Sequence, residues 1–583
     1  MVGRQQKHSV SITLFAAIAL WSSCRASEQP VSGERSVDPQ KWELTLREAG
    51  ASPAELAEFK DLANASWFKY FLDSPPHTFL RLLRRIVRGR QEPAPTAIFR
   101  RAPPIMSCDA LRGVYILDTT IDSAGVAATD GSCRVTATVV HSPAVTHIKV
   151  FVALPTHDWN GRFTGTGGGG YAGGSLESLD EPVARGYAVG ATDTGNEQGT
   201  ANFALDAHGK PAWQRIRDNA YIGIHDMTVV GKSLTEAFYG KAARYSYFIG
   251  GSTGGRQALT EAQRYPEDYD GILALAPAIA RDRYVPAQLW PQIVMREAND
   301  FLSSEKREAA TAAAVKACDG ADGVMDGVID DPTRCEYDAA NLVGTRVGNE
   351  TFTATDARII REIWDGPRGH DGSALWWGPT RGTDLSTLAD TGGTPLTGKP
   401  CDEGLDWFRY FLVRDPDWDW RTLTRSEFER LFRESIQRYA SIYGGDDPNL
   451  TAFRDRGGKL LIVHGLADQF VPPQKSIAYY KSVEQEMGGP QKTAEFLRLF
   501  LVPGADHGFM TAVPTPDFAA VVEALLEWVE HGQVPERLYA ELIGDHGELT
   551  RTRPLFPYPK VARYRGNGST DVAANFSSSS QSP

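Results

Sequence analysis

Short runs of apolar residues, each closed by glycine, proline or a polar turn, recur along this chain. Runs of this length that are apolar throughout are typical of strands buried on both faces of a parallel sheet. The pattern therefore predicts an α/β fold. The predicted strands are 148–154, 245–248, 271–276, 459–465 and 496–502.

About 180 residues separate the strand at 271–276 from the strand at 459–465, far more than a connection needs. We therefore expect an inserted lid, and at 583 residues the chain is long enough for more than one domain. The serine-rich end is predicted to be disordered beyond Phe576. The predicted segments are a signal peptide (1–26), a helical extension and linker (27–104), the first part of the main domain (105–280), the lid (281–456), its second part (457–566) and a tail (567–583).

The most informative motif is a serine between glycines, in the segment 249–258 that follows the predicted strand at 245–248. A serine on a sharp strand-to-helix turn brings residues two positions away into contact, which explains glycine at 250 and 254. The turn exposes the Ser252 hydroxyl and points the Thr253 amide toward a developing oxyanion. Such a pentapeptide also arises by chance in a chain with 56 glycines, so an ordinary glycine turn is the alternative.

An aspartate and a histidine later in the chain support a catalytic role for this serine. Asp468 follows the strand at 459–465, and His507 follows the strand at 496–502. Serine, acid, histidine is the chain order of α/β-hydrolases, and both side chains fall at carboxyl ends of strands. His507 would deprotonate Ser252, and Asp468 would orient the imidazole.

Structural roles and rival residues are the alternatives for these side chains. Asp468 is also suited to capping a helix from its loop, and His507 to an exposed surface position. Asp506 is a rival acid, but neighbours on an extended chain point apart. His464 is a rival base, although its place inside an apolar strand favours a hydrogen-bonded core histidine.

A glycine-rich segment at 162–173, after the strand at 148–154, is a candidate for the second oxyanion donor. Glycines let backbone amides approach a substrate without a Cβ in the way. A phosphate loop is excluded because no Gly-Lys-Ser/Thr ending is present. We expect the donor to be Gly169 or Gly170.

Taken together, these motifs resemble the tannase and feruloyl esterase family, which includes terephthalate half-ester hydrolases. The resemblance covers roughly residues 108–577 and rests on 159–163 with the glycine loop, 250–256, 318–335, Asp468 with the prolines at 472–473, 503–507 and 553–559. It implies an α/β-hydrolase fold with a large inserted lid. The family's triad falls on Ser252, Asp468 and His507.

One departure from the family concerns the residues beside the triad. The family places cysteines before the serine and after the histidine, and their disulfide joins the two loops. Here those residues are Gly251 and Gly508, and a second family pair is replaced by Phe556 and Ser577. Packing and hydrogen bonds alone must then hold the triad.

The acidic, glycine-rich loop at 318–330 suggests a hard cation that prefers oxygen ligands. The resemblance implies structural Ca²⁺ bound by the side chains of Asp319, Asp322 and Asp326 and the carbonyls of Val324 and Val328. A solvated Asp/Gly turn is the alternative. Zinc is disfavoured because no histidine is near and the flanking thiols suit a disulfide.

The amino terminus predicts export. Two basic residues precede an apolar run at 10–21, and small residues continue to Ala26, where cleavage would follow. The run is too short for a stable membrane span. Lipidation of Cys24 is the alternative, although Trp21 makes a poor lipobox. We expect a secreted or periplasmic protein.

An oxidising compartment permits disulfides. We expect Cys108 to pair with Cys133 and Cys318 with Cys335, the latter contributing about 3 kcal/mol. Cys401 is left over, either buried or paired between chains.

The net charge of −12, without basic blocks, argues against nucleic acid as a partner. The predicted function is therefore a serine carboxylic-ester hydrolase acting on aromatic esters, with feruloyl, galloyl or terephthaloyl acyl groups implied by the resemblance. Alternatives are an esterase for aliphatic or oligomeric esters and a non-catalytic binding protein of the same fold. Most lid aromatics belong to its core, but Trp376, Trp377 and Phe408 are proposed to line a substrate slot. The oligomeric state is not predicted.

Overall fold

The computed structural model describes residues 102–580 except 144–145 and 545–547, together with 95–99 and scattered positions between 42 and 83. The predicted signal segment, including Cys24, and most of the predicted extension lie outside the described residues. Within the described part, no helix is both long enough and apolar enough to cross a bilayer.

The described residues from 102 to 280 form the first strands and helices of the main domain. The strands are β1 (Thr119–Val126), β2 (Cys133–Val139), β3 (Ile148–Leu154), β4 (Arg162–Thr166), β5 (Ala188–Thr192), β6 (Tyr245–Gly251) and β7 (Gly271–Leu275). The helices are α1 (Asp180–Ala184), α2 (Trp213–Arg217), α3 (Gly223–Tyr239) and α4 (Thr253–Arg264), with a π-helical turn at Asp218–Ile222 and 3₁₀ turns at Asp109–Gly113, Leu176–Leu179 and Ala201–Ala204.

The insertion (residues 281–456) is mainly helical. Its helices are α5 (Arg281–Ala287), α6 (Trp290–Ala298), α7 (Ser304–Cys318), α8 (Ala354–Asp365), α9 (Asp402–Asp406), α10 (Arg425–Tyr443) and α11 (Thr451–Asp455), with a π-helical segment at Trp407–Val413 and 3₁₀ turns at Asp319–Asp322, Pro332–Arg334, Ala339–Leu342 and Trp420–Thr422. Two hairpins pair β8 (Arg346–Val347) with β9 (Glu350–Thr351) and β10 (Thr391–Gly392) with β11 (Thr397–Gly398). Capping boxes at Thr353 and Thr424 begin the helices α8 and α10.

After the insertion the chain returns to the main sheet. Its strands are β12 (Lys459–Gly465), β13 (Leu497–Val502), β14 (Thr515–Pro516), β15 (Leu538–Ile543), β16 (Leu549–Leu555), β17 (Lys560–Tyr564) and β18 (Phe576–Ser580). Its helices are α12 (Pro473–Glu486), α13 (Pro490–Thr493) and α14 (Phe518–His531), with a 3₁₀ turn at Ala573–Asn575.

The main sheet has nine strands in the order β1-β2-β3-β5-β4-β6-β7-β12-β13. The strands from β5 through β13 in that order are parallel, and β1, β2 and β3 join them antiparallel. The α/β-hydrolase fold class is thus confirmed, and all five predicted strands are present with ends shifted by at most three residues.

Alternate side chains along the parallel strands enter two different apolar clusters. In β12, for example, Leu460 and Ile462 join the larger cluster, whereas Leu461 and Val463 join the cluster that packs on α14. Burial on both faces is the physical reason why these strands are apolar throughout.

Two expectations about segment structure are wrong. Arg162–Thr166 forms the strand β4, so the glycine loop begins only at Gly167. Phe576–Ser580 forms the strand β18, which pairs antiparallel with β17 instead of being disordered. Backbone hydrogen bonding does not depend on side-chain type, and the buried Phe576 ring packs against Tyr564.

Both expected disulfides, Cys108–Cys133 and Cys318–Cys335, are present, with Cα atoms 5.5 and 5.7 Å apart. Cys401 is also disulfide-bonded, which corrects the expectation of a leftover thiol.

Candidate active site

Four loops meet at one edge of the sheet because their parallel strands all end there. The glycine loop follows β4, Ser252 follows β6, Asp468 lies beyond β12, and His507 lies beyond β13. This edge is where open α/β sheets place ligands. The expectation that these side chains converge is therefore met by the topology.

Ser252 stands on a strained turn between β6 and α4. Its φ of 57° and ψ of −119° are unusual for a residue with a side chain. The Ser252 N–H donates to the Leu275 carbonyl at 2.9 Å. A Cβ on Gly250 would lie 2.4 Å from the Gly254 oxygen, so only glycine fits this turn. The turn presents the Ser252 hydroxyl to His507.

His507 links the serine to the acid by two short hydrogen bonds. Its Nδ1 lies 2.6 Å from Asp468 Oδ2, and its Nε2 lies 2.9 Å from Ser252 Oγ. An ionised carboxylate only accepts, so Nδ1 carries the proton and Nε2 is free to accept the serine proton. All three side chains are at most 5% exposed. The arrangement can deprotonate a hydroxyl for nucleophilic attack.

Asp468 is held as an anion by four hydrogen bonds. Oδ1 accepts the N–H groups of Phe470 and Val471, each at 2.8 Å, and Oδ2 faces two histidines. Although burial alone raises its pKa, His507 and His464 hold the pKa of Asp468 well below its usual range. The carboxylate is therefore negative throughout the neutral range.

The second histidine is His464, on β12, which the sequence places in the core. Its Nε2 lies 3.0 Å from Asp468 Oδ2 and 3.1 Å from the Val471 carbonyl, both acceptors, so Nε2 carries the proton. Its Nδ1 then accepts from the Ser476 hydroxyl at 2.8 Å. His464 is a core histidine, as expected, but it also orients the predicted catalytic acid.

Replacing His464 is expected to lower kcat through Asp468. His464→Phe removes the donated hydrogen bond, and we expect a loss of about tenfold to a hundredfold in kcat, because such bonds contribute about 1.5–3 kcal/mol. His464→Gln keeps a donor within reach and should lose less. Steady-state kinetics on both variants test this order, and equal kcat values for the Phe variant and wild type would contradict it.

The rival acid Asp506 turns away from the imidazole. Its Oδ1 accepts the Met510 N–H at 2.6 Å. The neighbouring His507 N–H donates to Gln469 Oε1 at 3.0 Å, which ties the histidine loop to the loop of the acid. With glycine at 251 and 508, the serine and histidine loops are joined by the hydrogen bond between Ser252 Oγ and His507 Nε2 in place of a disulfide.

The glycine loop approaches the nucleophile closely. The Gly254 N–H donates to the Gly168 carbonyl at 2.8 Å, and a Cβ on Gly167 would lie 2.4 Å from the Gly254 Cα. The Gly170 carbonyl accepts from Thr253 Oγ1 at 2.7 Å. Thr253 and Gly170 are therefore adjacent, as an oxyanion hole requires. Gly169 immediately precedes Gly170 in the same loop.

A pocket adjoining Asp468 is walled by aromatic side chains of the insertion. Trp376 and Trp377 line it edge to face, with ring centroids 4.7 Å apart. Phe408 does not line it, which corrects its assignment. The Phe408 ring is fully buried and stacks on Trp418. Other walls come from Tyr284, Trp290, Ile363, Leu388, Gln469, Phe470 and Pro472.

The predicted calcium loop curls around Asp319. The carboxylate of Asp319 accepts the N–H groups of residues 326, 327 and 328 at 3.0–3.3 Å. Asp322 is in hydrogen-bonding contact with the half-buried carboxyl of Asp330, a residue that the sequence analysis did not select. Asp326 pairs with Arg553 and, at 3.4 Å, with Arg551. Carboxylates thus crowd one side of the loop.

Although these carboxylates are near one another, the side-chain oxygens expected to bind the cation do not form a compact cluster. Among the described residues, the one His/Cys/Asp/Glu cluster with ligand atoms all within 4.8 Å of one another is His225, Glu261 and Asp268. The predicted calcium loop differs from that compact cluster in two ways. Two of its five expected ligands are the backbone carbonyls of Val324 and Val328, and Asp326 also faces arginines. The oxygen-only donor set still fits a hard cation.

Comparison with known proteins agrees with this geometry. A model of the family "Tannase and feruloyl esterase" matches residues 133–579. A probable feruloyl esterase of Arthroderma benhamiae is 40% identical over 460 residues, covering 76% of this chain and 85% of that protein. Feruloyl esterase B of Aspergillus niger is 30% identical, covering 76% and 86%. The solved tannin acyl hydrolase from Aspergillus niger superposes with a TM-score of 0.71 at 25% identity, covering 80% and 92%.

Proposed function

The chain belongs to the tannase and feruloyl esterase family, and from that premise we propose that it cleaves esters of aromatic acids through an acyl-enzyme on Ser252. It is a carboxylic ester hydrolase. The observation that carries the proposed mechanism is the continuous hydrogen-bond chain from Ser252 through His507 to Asp468.

In the first step Ser252 Oγ attacks the ester carbonyl carbon while His507 Nε2 takes the hydroxyl proton. The carbonyl oxygen becomes negative and accepts hydrogen bonds from the Thr253 N–H and from Gly170 or Gly169. His507 then gives its proton to the departing alcohol oxygen, which leaves the acyl group on Ser252. Water repeats the sequence and releases the acid, with His507 again as base and then acid.

The aromatic pocket supports an aromatic acyl group. Trp376 and Trp377 present apolar ring surfaces to the pocket that Asp468 also lines, and Phe470 lies edge-on to His507 with ring centroids 5.3 Å apart. Aromatic rings gain about 0.5–1.5 kcal/mol from such pairs beyond the area they bury. This favours aromatic over aliphatic acids of equal volume.

We therefore expect higher kcat/KM for ethyl ferulate and ethyl gallate than for ethyl hexanoate. The screen uses wild type and Ser252→Ala, whose residual rate measures hydrolysis that does not depend on this serine. Preference for ethyl hexanoate would favour an aliphatic esterase, and a folded wild type that resists a fluorophosphonate would favour a binding protein.

Trp377→Ala is expected to raise KM for the aromatic esters by about tenfold, because a stacking surface is lost. Trp213→Ala is a matched control, since both tryptophans are 39% exposed and Trp213 does not line the pocket. Equal KM changes in the two variants would argue against Trp377 as a wall of the acyl pocket.

We further propose that the loop at 319–328 binds structural Ca²⁺. The ligands would be the Asp319, Asp322 and Asp326 side chains and the Val324 and Val328 carbonyls. Contact between the carboxyls of Asp322 and Asp330 supports this, because a cation relieves repulsion between like charges. The Cys318–Cys335 bridge closes the same loop. The ion would stabilise the fold, and no step of the ester chemistry needs it.

Removal of calcium is expected to lower the melting temperature. At a calcium concentration about a hundredfold above Kd the ion contributes about 2.7 kcal/mol, so chelation should cost several degrees. Differential scanning calorimetry with EDTA, then with added Ca²⁺ or Mg²⁺, measures this. Asp322→Asn should abolish the calcium response, whereas an unchanged response in that variant would contradict the ligand assignment.

We also propose that the protein is exported to the cell exterior or periplasm. The disulfides Cys108–Cys133 and Cys318–Cys335 support this, because such bonds persist in oxidising compartments.

A further inference from the structure

A buried arginine connects the glycine loop to the insertion. Arg281 is the first residue of α5 and is 2% exposed. Its Nη1 donates to the Gly170 carbonyl at 2.8 Å and to Thr253 Oγ1 at 2.9 Å. Its Nη2 lies 2.9 Å from Glu403 Oε1. One guanidinium therefore contacts both candidate oxyanion residues and a carboxylate of α9.

These contacts hold the peptide that joins Gly170 to Tyr171. The Gly170 carbonyl accepts from both Thr253 Oγ1 and Arg281, and the Gly169 carbonyl accepts the Ala172 N–H at 2.9 Å. In a trans peptide the N–H points opposite to the carbonyl. Arg281 and Thr253 therefore hold the Gly170–Tyr171 peptide, which carries the Tyr171 N–H, whereas the Gly170 N–H belongs to the Gly169–Gly170 peptide that Ala172 holds. The backbone of Gly170 lies between these two held peptides, so its N–H direction depends on both.

The glycine sequence of this loop does little by itself to hold the Gly170 backbone in one conformation. Gly170 has a φ of +56° in a run of four glycines, so its backbone has many accessible conformations. Side chains cannot stiffen the run, because a Cβ on Gly168 would lie 2.2 Å from the Ala172 carbonyl oxygen. Ala172 holds one side of Gly170 from within the loop, and Arg281 holds the other side from the insertion.

Glu403 anchors the arginine from the insertion. Its carboxylate accepts from Gln288 Nε2 at 3.1 Å and from the Tyr284 hydroxyl at 3.4 Å, besides pairing with Arg281. The Glu403 carbonyl accepts the Tyr171 hydroxyl at 2.8 Å, and the Arg281 guanidinium lies 4.5 Å from the Tyr171 ring centroid. The pair thus joins α5 and α9 to the residue that follows Gly170.

We propose that Arg281 is a positioning residue: it holds the Gly170–Tyr171 peptide and, through it, keeps the Gly170 backbone in the conformation that the oxyanion hole requires. Glu403 makes this hold depend on the packing of the insertion against the glycine loop. The inference rests on the proposed acyl-enzyme mechanism. Arg281 acts through the Gly170 peptide and Thr253, and it transfers no proton.

Three variants test this role. Arg281→Lys keeps the charge opposite Glu403, but one ammonium group cannot reproduce the planar fork that reaches Gly170, Thr253 and Glu403 together. Arg281→Met leaves Glu403 buried without its partner. Arg281→Met/Glu403→Gln removes both charges and so restores electrostatic balance without restoring the bond to Gly170.

We expect kcat to fall by about tenfold to a hundredfold in Arg281→Lys and in the double variant, with KM changed less than about threefold, because misplacing an oxyanion donor affects the transition state. A trifluoromethyl ketone analogue of the aromatic ester, whose adduct carries an oxyanion, should lose affinity in the same proportion as kcat. Melting temperature should recover in the double variant relative to Arg281→Met while kcat does not.

Arg307→Lys is the matched control, since Arg307 is also a buried arginine of the insertion and donates to the Leu302 carbonyl. It should lose stability at unchanged kcat. Recovery of kcat in the double variant, or wild-type kcat and ketone affinity in Arg281→Lys, would overturn the proposal. Failure of the mechanism itself is distinguishable, because Ser252→Ala would then hydrolyse esters as fast as wild type.

Discussion

Replacing His507 with alanine is expected to lower kcat by at least about four orders of magnitude. The imidazole Nε2 lies 2.9 Å from Ser252 Oγ and is placed to accept its proton. His464 cannot substitute, because its Nε2 proton faces Asp468 and the Val471 carbonyl. Without a base the serine stays protonated and attacks slowly.

Stopped assays with ethyl ferulate, together with fluorophosphonate labelling, measure this effect. Labelling of Ser252 should slow in parallel with turnover, because both reactions need the deprotonated hydroxyl. Near-normal turnover in a folded His507→Ala protein would exclude His507 as the base. Circular dichroism and the melting temperature establish that the variant is folded.

The second large loss of kcat is expected on replacing the proposed catalytic acid. Asp468 and Asp506 provide a matched pair of variants for this test. Asp468→Asn should lower kcat by about three to four orders of magnitude, because an amide in place of the carboxylate favours the wrong imidazole tautomer. Asp506→Asn should stay within about threefold of wild type, since Asp506 faces the Met510 N–H. Kinetics on the two variants under identical conditions distinguish the acids, and a larger loss at Asp506 would reverse the assignment.

The lowered pKa of Asp468 also predicts that the free energy of unfolding depends on pH. Burial opposes ionisation of Asp468, but the two histidines and its hydrogen bonds lower its pKa in the folded protein below the usual range. A lowered pKa contributes stability above the unfolded value, and that stability is lost as pH falls toward the folded value. Unfolding in urea at pH 7 and pH 3 should therefore show a larger deficit for Asp468→Asn at pH 7. An equal deficit at both values would contradict this linkage.

Much of the fold could be predicted because its signals are local. Continuous apolar runs indicate doubly buried strands, and β3 and β12 have the predicted bounds. The glycines at 250 and 254 follow from the contact between their backbones across the serine turn. The convergence of Ser252, Asp468 and His507 follows from strand order, since carboxyl ends of parallel strands share one edge.

Other features depend on partners distant in sequence, and no local signal indicates them. The serine-rich segment after Phe576 forms a strand only because β17 offers it a free edge. Phe408 is indistinguishable from Trp376 and Trp377 by residue type, yet it stacks in the core of the insertion while they line the pocket. The residue type shows only that a ring is apolar. The packing of the folded chain decides whether that ring lies in the core or lines the pocket.

By itself the sequence determined the fold class, the family and the three side chains expected to carry the chemistry, because strand periodicity, turn sterics and motif order are properties of short segments. It also indicated the Cys108–Cys133 and Cys318–Cys335 bridges, but not that Cys401 is disulfide-bonded. Only the tertiary structure decided that His464 shares the carboxylate of Asp468 and that Arg281 joins Gly170 to Glu403. Those bonds join residues up to 122 positions apart, from Arg281 to Glu403. Their existence depends on distances and directions that arise only when the insertion packs on the sheet.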